Sequence, residues 1–397
     1  FVGLFLGWLH LFCGVSSANC QFAQVFLLRI LEMAQGHQLS DNTKERQLPK
    51  DIHTIIKSLS ITPELNKQIC CPTCFNLYQP ASAPWFCSFR KSPKAHECGE
   101  PLFEGEHQQH PSASSNLPPC EIRHPRNLYV TQKLSSWLRW FLSKSNIEQE
   151  IIDWSNKLGE FSEKKIFDIQ QSEAWKEITW PSNPSTGPKP LNLLVSLFID
   201  WFNPRGNRKR GAQQSMGVFA YNCLDLPPSL RNLIQNTCVA GITPGLNAPD
   251  MTTITHVLKD HIDDLILLEQ GIVMPTSQYP EGRLVRVKLL MKLGDMVGMH
   301  KVAGFASHSA NLYFTWCWGS AKDMDKMKLG QPRTKTEVLN AARNSKEAIS
   351  LARKDNILRE TGVHWSEFNR LNYRDPVKQL PIGLMHNWFE GVLHHHF

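Results

Sequence analysis

"LNLLVSLFIDWFNPRGN" (residues 191–207) decides how this chain is read: an apolar run of strand length carries one acid, Asp200, near its end and passes at once into an Asn-Pro-Arg-Gly turn. A continuous apolar run bounded by turn residues is the pattern of a strand buried on both faces. Inside such a strand an uncompensated carboxylate is costly or must shift its pKa. At the strand mouth the same carboxylate can hold a metal.

Downstream, "SMGVFAYNCLDL" (215–226) and "TCVAGITPG" (237–245) read as two more strands, and "HVLKDHIDDLILLEQG" (256–271) has helical spacing. "RLVRVKLLMKLGD" (283–295) alternates Leu284, Val285, Val287 and Leu289 with basic residues before reaching Asp295. The fold class expected is α/β, with the strand, strand, strand, helix, strand order of an RNase H-like catalytic core. A parallel connection needs a crossover, so the helix returns the fourth strand beside the first. Asp200 and Asp295 would then close neighbouring strands about 4.8 Å apart, within reach of shared coordination. Two divalent ions about 3.5 to 4 Å apart suit phosphoryl transfer, and Mg²⁺ (or Mn²⁺) takes carboxylate and phosphate oxygens while keeping several waters. The alternative is that each Asp caps a strand or opens an Asx turn. Arg205, Arg208, Lys209 and Arg210 follow Asp200 directly; they would meet DNA phosphates lying over the metal site, or form a solvated turn.

Upstream the text changes character. Of the 11 cysteines in the 397 residues, six fall between Cys70 and Cys120. In "CCPTCFNLYQPASAPWFCSFRKSPKAHECGEPLF", Cys71 and Cys74 form C-x2-C, and Cys87 and Cys98 follow after twelve and ten residues. Two ligands on one tight turn and two brought in later is a usual way to build a tetrahedral thiolate site for Zn²⁺. Cys70, His96 or Cys120 can also serve, and the alternative is a set of buried free thiols. Residues 1–60 read as an N-terminal helical segment, with "LFLGWLHLF" and "AQVFLLRILEMA" broken at Gly14 to Asn19; a buried amphipathic helix is expected there, since the opening apolar run is too short for a membrane span. Residues 61–130 form the Cys-rich zinc module and 131–180 a helical connector, in which Leu134, Trp137, Leu138 and Phe141 share one face. "PSNPSTGPKP" (181–190) marks the boundary to the core, 181–397. A composition of 41% apolar and 20% charged residues argues against long disorder. The formal net charge of +7 is compatible with a polyanionic partner without requiring one.

"FIDWFNPRGN", "CLDLPPSLR", "VAGITPG", "HVLKDHIDDL", "KVAGFASHSANLYFTWC", "GVHWSEFNRLNYRDPV" and "LMHNWFEGVL" resemble successive blocks of CACTA-type (En/Spm) DNA transposases of the variety abundant in fungal genomes. The resemblance is dense over about residues 190 to 397, and "CGEPLF" looks like the region preceding that core. It implies a DDE/D transposase acting in the nucleus on the element's terminal inverted repeats and on target DNA, alone or as a homo-oligomer, with no membrane partner. By position, Asp200 matches the acid of the family's "DGFNP" block and Asp295 the acid before "AGFxSHxA". Water would attack a phosphodiester at the element end, and the freed 3′ hydroxyl would then attack target DNA. Trp201 stands where the family usually has Gly. Phe314 stands where a C-x2-C pair would begin, leaving Cys317 and His386 for a candidate second zinc site, although a lone Cys or His near aromatics is more often a packed core residue. Gly383 replaces the acid of the "DxMHN" block. The third catalytic acid is expected beyond Phe397, so the chain reads as a truncated piece of a longer protein. Two other readings remain: a catalytically inactive transposon-derived DNA-binding protein, and a generic metal-dependent nuclease.

Overall fold

A computed structural model of the chain describes residues 1–11, 13–35, 49, 51–59, 62–105, 123–160, 165–204, 215–245, 247–326, 329–381, 383, 388–389 and 393. Arg205, Arg208, Lys209, Arg210, Cys120 and His386 lie outside the described residues. The chain divides into two compact units, Phe1–Glu64 and Leu65–Phe397.

In the first unit, α1 (Val2–Leu11) and α2 (Ser17–Gln35) are separated by Gly14, whose φ of 66° is open to glycine without steric cost. Asp51 caps α3 (Ile52–Ser58), its carboxylate accepting the Thr54 N–H at 3.0 Å. Leu6, Cys20, Ile52, Ile55 and Ile56 make the core. The helix expected to be buried is only partly so: Phe22, Val25, Phe26 and Ile30 of α2 are exposed, because two short partner helices cover a single stripe of it. Among the described residues no helix is long and apolar enough to cross a membrane.

The second unit begins with β1 (Leu65–Cys70), β2 (Leu77–Tyr78) and β3 (Leu128–Gln132), then α4 (Leu134–Ser143), α5 (Ile147–Gly159) and the short α6 (Glu173–Lys176). There follow β4 (Leu191–Phe202), β5 (Met216–Cys223), α7 (Pro228–Arg231), β6 (Thr237–Ile242), α8 (Ile254–Gln270), β7 (Ile272–Met274) and β8 (Arg283–Leu293). Helices α9 (Met296–Ala303), α10 (Lys335–Glu347) and α11 (Leu351–Thr361) complete it. All strands join one mixed 8-stranded sheet in the order β2-β1-β3-β6-β5-β4-β8-β7. Strands β4, β5 and β6 are antiparallel neighbours, β8 lies parallel to β4, and β7 pairs antiparallel with β8 at the edge. Helix α8 is the connection that makes the β4–β8 pairing parallel.

The unbroken apolar text of β4 reflects burial on both faces. Leu193, Val195, Leu197 and Ile199 pack into the main core with Val257, Leu258, Ile262 and Leu265 of α8. Leu194 joins Leu224 and Leu290 beneath Trp175, Ile178 and Trp180 on the other face. The shared face of α4 is buried as its spacing requires, with Leu134, Trp137, Leu138 and Phe141 all in the main core. Lys133 gives α4 no side-chain cap. Asp264 of α8 takes over that role, accepting the Ser135 N–H at 3.0 Å and its hydroxyl at 2.6 Å.

The basic residues of β8 are buried, not solvated. Arg286 donates to the carbonyls of Pro181 and Ser182, Lys288 to that of Thr179, and Arg283 to that of Lys189. The Pro-rich stretch 181–190 is thus stitched along β8, and strands β1 to β3 with helices α4 and α5 share the sheet and core of the segment that follows. Arg283 also meets Glu148 of α5 at 3.0 Å, with side-chain exposures of 8% and 1%. Glu148 further accepts the Gln278 N–H at 2.8 Å and the Ser277 hydroxyl at 3.2 Å. Glu148→Ala would leave a guanidinium buried without its counter-charge, a loss of about 3–5 kcal/mol. Equilibrium urea unfolding is the measurement, and a loss no larger than the ~1 kcal/mol of an exposed pair would refute it.

Candidate functional site

The Cys-rich segment builds its site from a turn and a ladder. Cys71 and Cys74 lie on the turn leaving β1, where the Phe75 N–H donates to the Cys71 carbonyl at 3.1 Å and the Cys71 N–H to the Asn76 carbonyl at 3.0 Å. Phe75 closes that turn at φ 60°, a left-handed conformation uncommon outside glycine. Cys87 and Cys98 are brought together by a short ladder: the Cys98 N–H reaches the Phe89 carbonyl at 2.8 Å, and the Gly99 N–H the Cys87 carbonyl at 2.9 Å. The ten residues between them are the length of that ladder and its turn.

The result is a convergent set of sulfurs. Cys71 Sγ lies 3.8 Å from Cys98 Sγ, Cys74 Sγ lies 3.4 Å from Cys87 Sγ, and the four ligand atoms all fall within 4.8 Å of one another. A tetrahedral zinc with Zn–S of about 2.3 Å has S···S edges of about 3.8 Å. The cluster can therefore hold a structural metal such as zinc, and among the described residues it is the one group of three or more ligand-type side chains with this convergence. Cys70 belongs instead to the main core, where burial raises its thiol pKa, and His96 is exposed.

The thiol electrostatics fit the same reading. Hydrogen bonds from Cys71 and Cys74 draw the Cys87 thiol down to about 2. The reciprocal bonds, to Cys71 first and then to Cys87, push Cys74 far up. For Cys71 the bond with Cys74 lowers the value, but the bond with Cys87 and burial outweigh it and bring it to about 12. Four sulfurs this close do not all ionise without a cation among them.

Two supporting residues had no signal in the sequence. Tyr78 donates its hydroxyl to Cys87 Sγ at 3.3 Å and accepts the Ser88 N–H at 3.0 Å. His256, in the first turn of α8, holds the Cys74 carbonyl at 2.9 Å through Nδ1, which must carry the proton to do so. Its ring meets Phe89 edge-on at 4.3 Å. The metal turn is thereby tied to the crossover helix. Compared with protein-family models and with curated proteins, the chain matches none.

The other candidate set lies at the ends of β4 and β8. Phe198 pairs with Leu293 at the end of the parallel register; beyond it Asp200 stays within β4, opposite Val218 of β5, and Asp295 has left β8 as the cap of α9. Gly294 sits between, so close to β4 that a Cβ there would collide with the Ile199 carbonyl oxygen. The carboxylates are engaged separately. Asp200 accepts the Trp201 N–H at 2.8 Å. Asp295 caps α9, accepting the Gly298 N–H at 2.5 Å. Trp201 packs beside Gly217 and Gly298 with Lys301 Nζ 3.7 Å from its ring centroid. Strand alternation sends Asp200 to the face opposite Trp201, whereas Asp295 touches the Gly298 that Trp201 also approaches. The two carboxylates thus leave on different sides of the strand end, and one ion bridging both requires a backbone shift there as well as a change of hydrogen-bond partner.

Beside this mouth, Gly294, Met296 and His300 help line a cavity of about 760 Å³ with Trp316 and the stacked pair Tyr313 and Phe314, whose ring centroids are 4.2 Å apart. Cys317 lines the same cavity. Among the described residues it belongs to no cluster of three or more ligand-type side chains, and His386, expected to join it, lies outside them.

Proposed function

We propose that this chain derives from a CACTA-type DNA transposase whose RNase H-like core cleaves phosphodiesters and transfers strands at element ends. The observation carrying this reading is the parallel pairing of β4 with β8 through α8, after three antiparallel strands, with one acid among the last paired residues of β4 and one just past the end of β8. The ordered sequence blocks from residue 198 to 393 support it independently.

Asp200 and Asp295 would hold Mg²⁺ or Mn²⁺, which supplies charge neutralisation at the transferring phosphate. The chain's own residues orient the DNA and hold the acids at the strand ends; water and then a 3′ hydroxyl are the attacking groups. Zinc at Cys71, Cys74, Cys87 and Cys98 would be structural. DNA is the partner, both terminal inverted repeats and target, and the nucleus is the compartment.

A second reading has an observation in its favour. The separate engagement of the two carboxylates suits an inactive, transposon-derived DNA-binding protein. Nicking of end-repeat DNA by the full chain in Mg²⁺, lost in Asp200→Asn while binding persists, distinguishes them. Binding without cleavage in the unaltered protein would remove the catalytic reading.

A further inference from the structure

A cavity of about 440 Å³ opens where three distant segments meet: the ladder carrying Cys87 and Cys98, the start of α8, and the α10–α11 pair. Its cations come from each side, with Arg90 and Lys91 on the ladder, Lys346 on α10 and Lys354 on α11. Arg90 and Lys91 are offset by Glu97 at 2.9 Å and Asp250 at 3.5 Å. Lys346 and Lys354 form no ion pair among the described residues, although Asp355 also lines the cavity. Lys346 Nζ lies over the Trp365 ring, 3.9 Å from its centroid, and Lys354 Nζ donates to the Lys91 carbonyl at 2.8 Å. These contacts hold two ammonium groups at the cavity without neutralising them.

A further group lacks a partner. His364 lines the cavity, is 8% exposed, and its Nε2 is buried without a hydrogen bond. A buried ring nitrogen left unpaired is costly, but this one is enclosed by protein, and an oxygen in the cavity would reach it only after a local shift. Two ammonium groups without an ion pair, from two helices, and a third segment of basic ladder suit an occupant with several phosphate oxygens.

We infer that this cavity is a docking site for the phosphate backbone of duplex DNA, gripped between the four-cysteine module and the α10–α11 pair. The inference rests on the DNA-processing reading above, but it concerns a surface separate from the strand-end acids. It also gives the metal cluster a role in binding, because the ladder that presents Arg90 and Lys91 is the one that carries Cys87 and Cys98.

The test is a salt titration of duplex DNA binding by the full chain carrying Lys346→Gln and Lys354→Gln, followed by fluorescence anisotropy. Losing two phosphate contacts should lower the slope of log K against log salt by about 2 and weaken binding about tenfold or more near ~0.15 M salt. The matched pair Arg139→Gln and Lys157→Gln, on α4 and α5, should leave the slope unchanged, and the Lys→Arg pair at 346 and 354 should restore it. Lysine acetylation read by mass spectrometry gives an answer in the unaltered protein: DNA should shield Lys346 and Lys354 but not Lys157. An unchanged slope, absent shielding, or no duplex binding by the unaltered chain would overturn the inference. Cleavage that still depends on Asp200 while the slope is unchanged would remove this surface alone and leave the catalytic reading standing.

Discussion

If the four-cysteine cluster holds zinc, Cys74→Ser is expected to abolish its binding and unfold the segment around it, leaving most of the sheet intact. The sulfurs come from a turn and a ladder with a small core: among the described residues Ile69, Ala83, Leu102 and Phe103 are buried beside the cysteines, with Tyr78, Trp85 and Phe89 packed against them. Structural zinc in comparable small modules contributes apparent free energies of about 10–16 kcal/mol, far more than such a core supplies. Strand β1 pairs with β3 from Leu65 to Ile69 and should survive. Amide exchange should therefore rise across residues 71–103 and stay low in β4, β5 and β8, while metal analysis falls from one zinc per chain towards none. Chelation of the unaltered protein should reproduce the exchange pattern, and acidification should favour release because protons compete for the thiolates. Unchanged exchange with the metal gone would mean that the ladder folds without it.

The two halves of this result were not equally legible. C-x2-C announced the turn, because two ligands three residues apart leave little other geometry. Cys98 was harder to place, since its interval is set by a ladder whose pairings, Cys98 to Phe89 and Gly99 to Cys87, have no apolar alternation to reveal them. The same contrast runs through the fold. Strands β4, β5, β6 and β8 and helix α8 could be read because their apolar period survives in the text. That the sheet continues through β6 to β3, β1 and β2 could not be read, because it depends on pairings across more than a hundred residues. The basic residues of β8 look like a solvated face in isolation. They are buried because Glu148 and the carbonyls of residues 179–189 come to them from elsewhere in the chain. A bulge adds to this: the β4–β8 register shifts after Val195, passing over Leu290 and turning Lys292 to the core side, where it lies over Phe368.

In a chain that also carries the third acid, Asp200→Asn and Asp295→Asn are each expected to lower Mg²⁺-dependent cleavage of end-repeat DNA on the order of a thousandfold, about 4 kcal/mol of transition-state stabilisation. Asparagine is the informative replacement at both positions. At Asp295 it keeps the cap on α9, since Asn and Asp serve about equally as N-caps, whereas Ala would forfeit about 1 kcal/mol of stability and confuse the two effects. At Asp200 its carbonyl oxygen can still accept the Trp201 N–H. Charge is then the main thing removed, so thermal melting and DNA affinity should hold while cleavage falls. Cysteine at either position sharpens the assignment: a thiolate favours softer ions over Mg²⁺, so cleavage should return with Mn²⁺ and not with Mg²⁺, a rescue that a purely structural carboxylate would not show. If the unaltered chain binds end repeats and never cuts them under either ion, the acids are caps and turn formers and the protein is a binding descendant. If it cuts without preference for the ends, the two carboxylates serve a general nuclease.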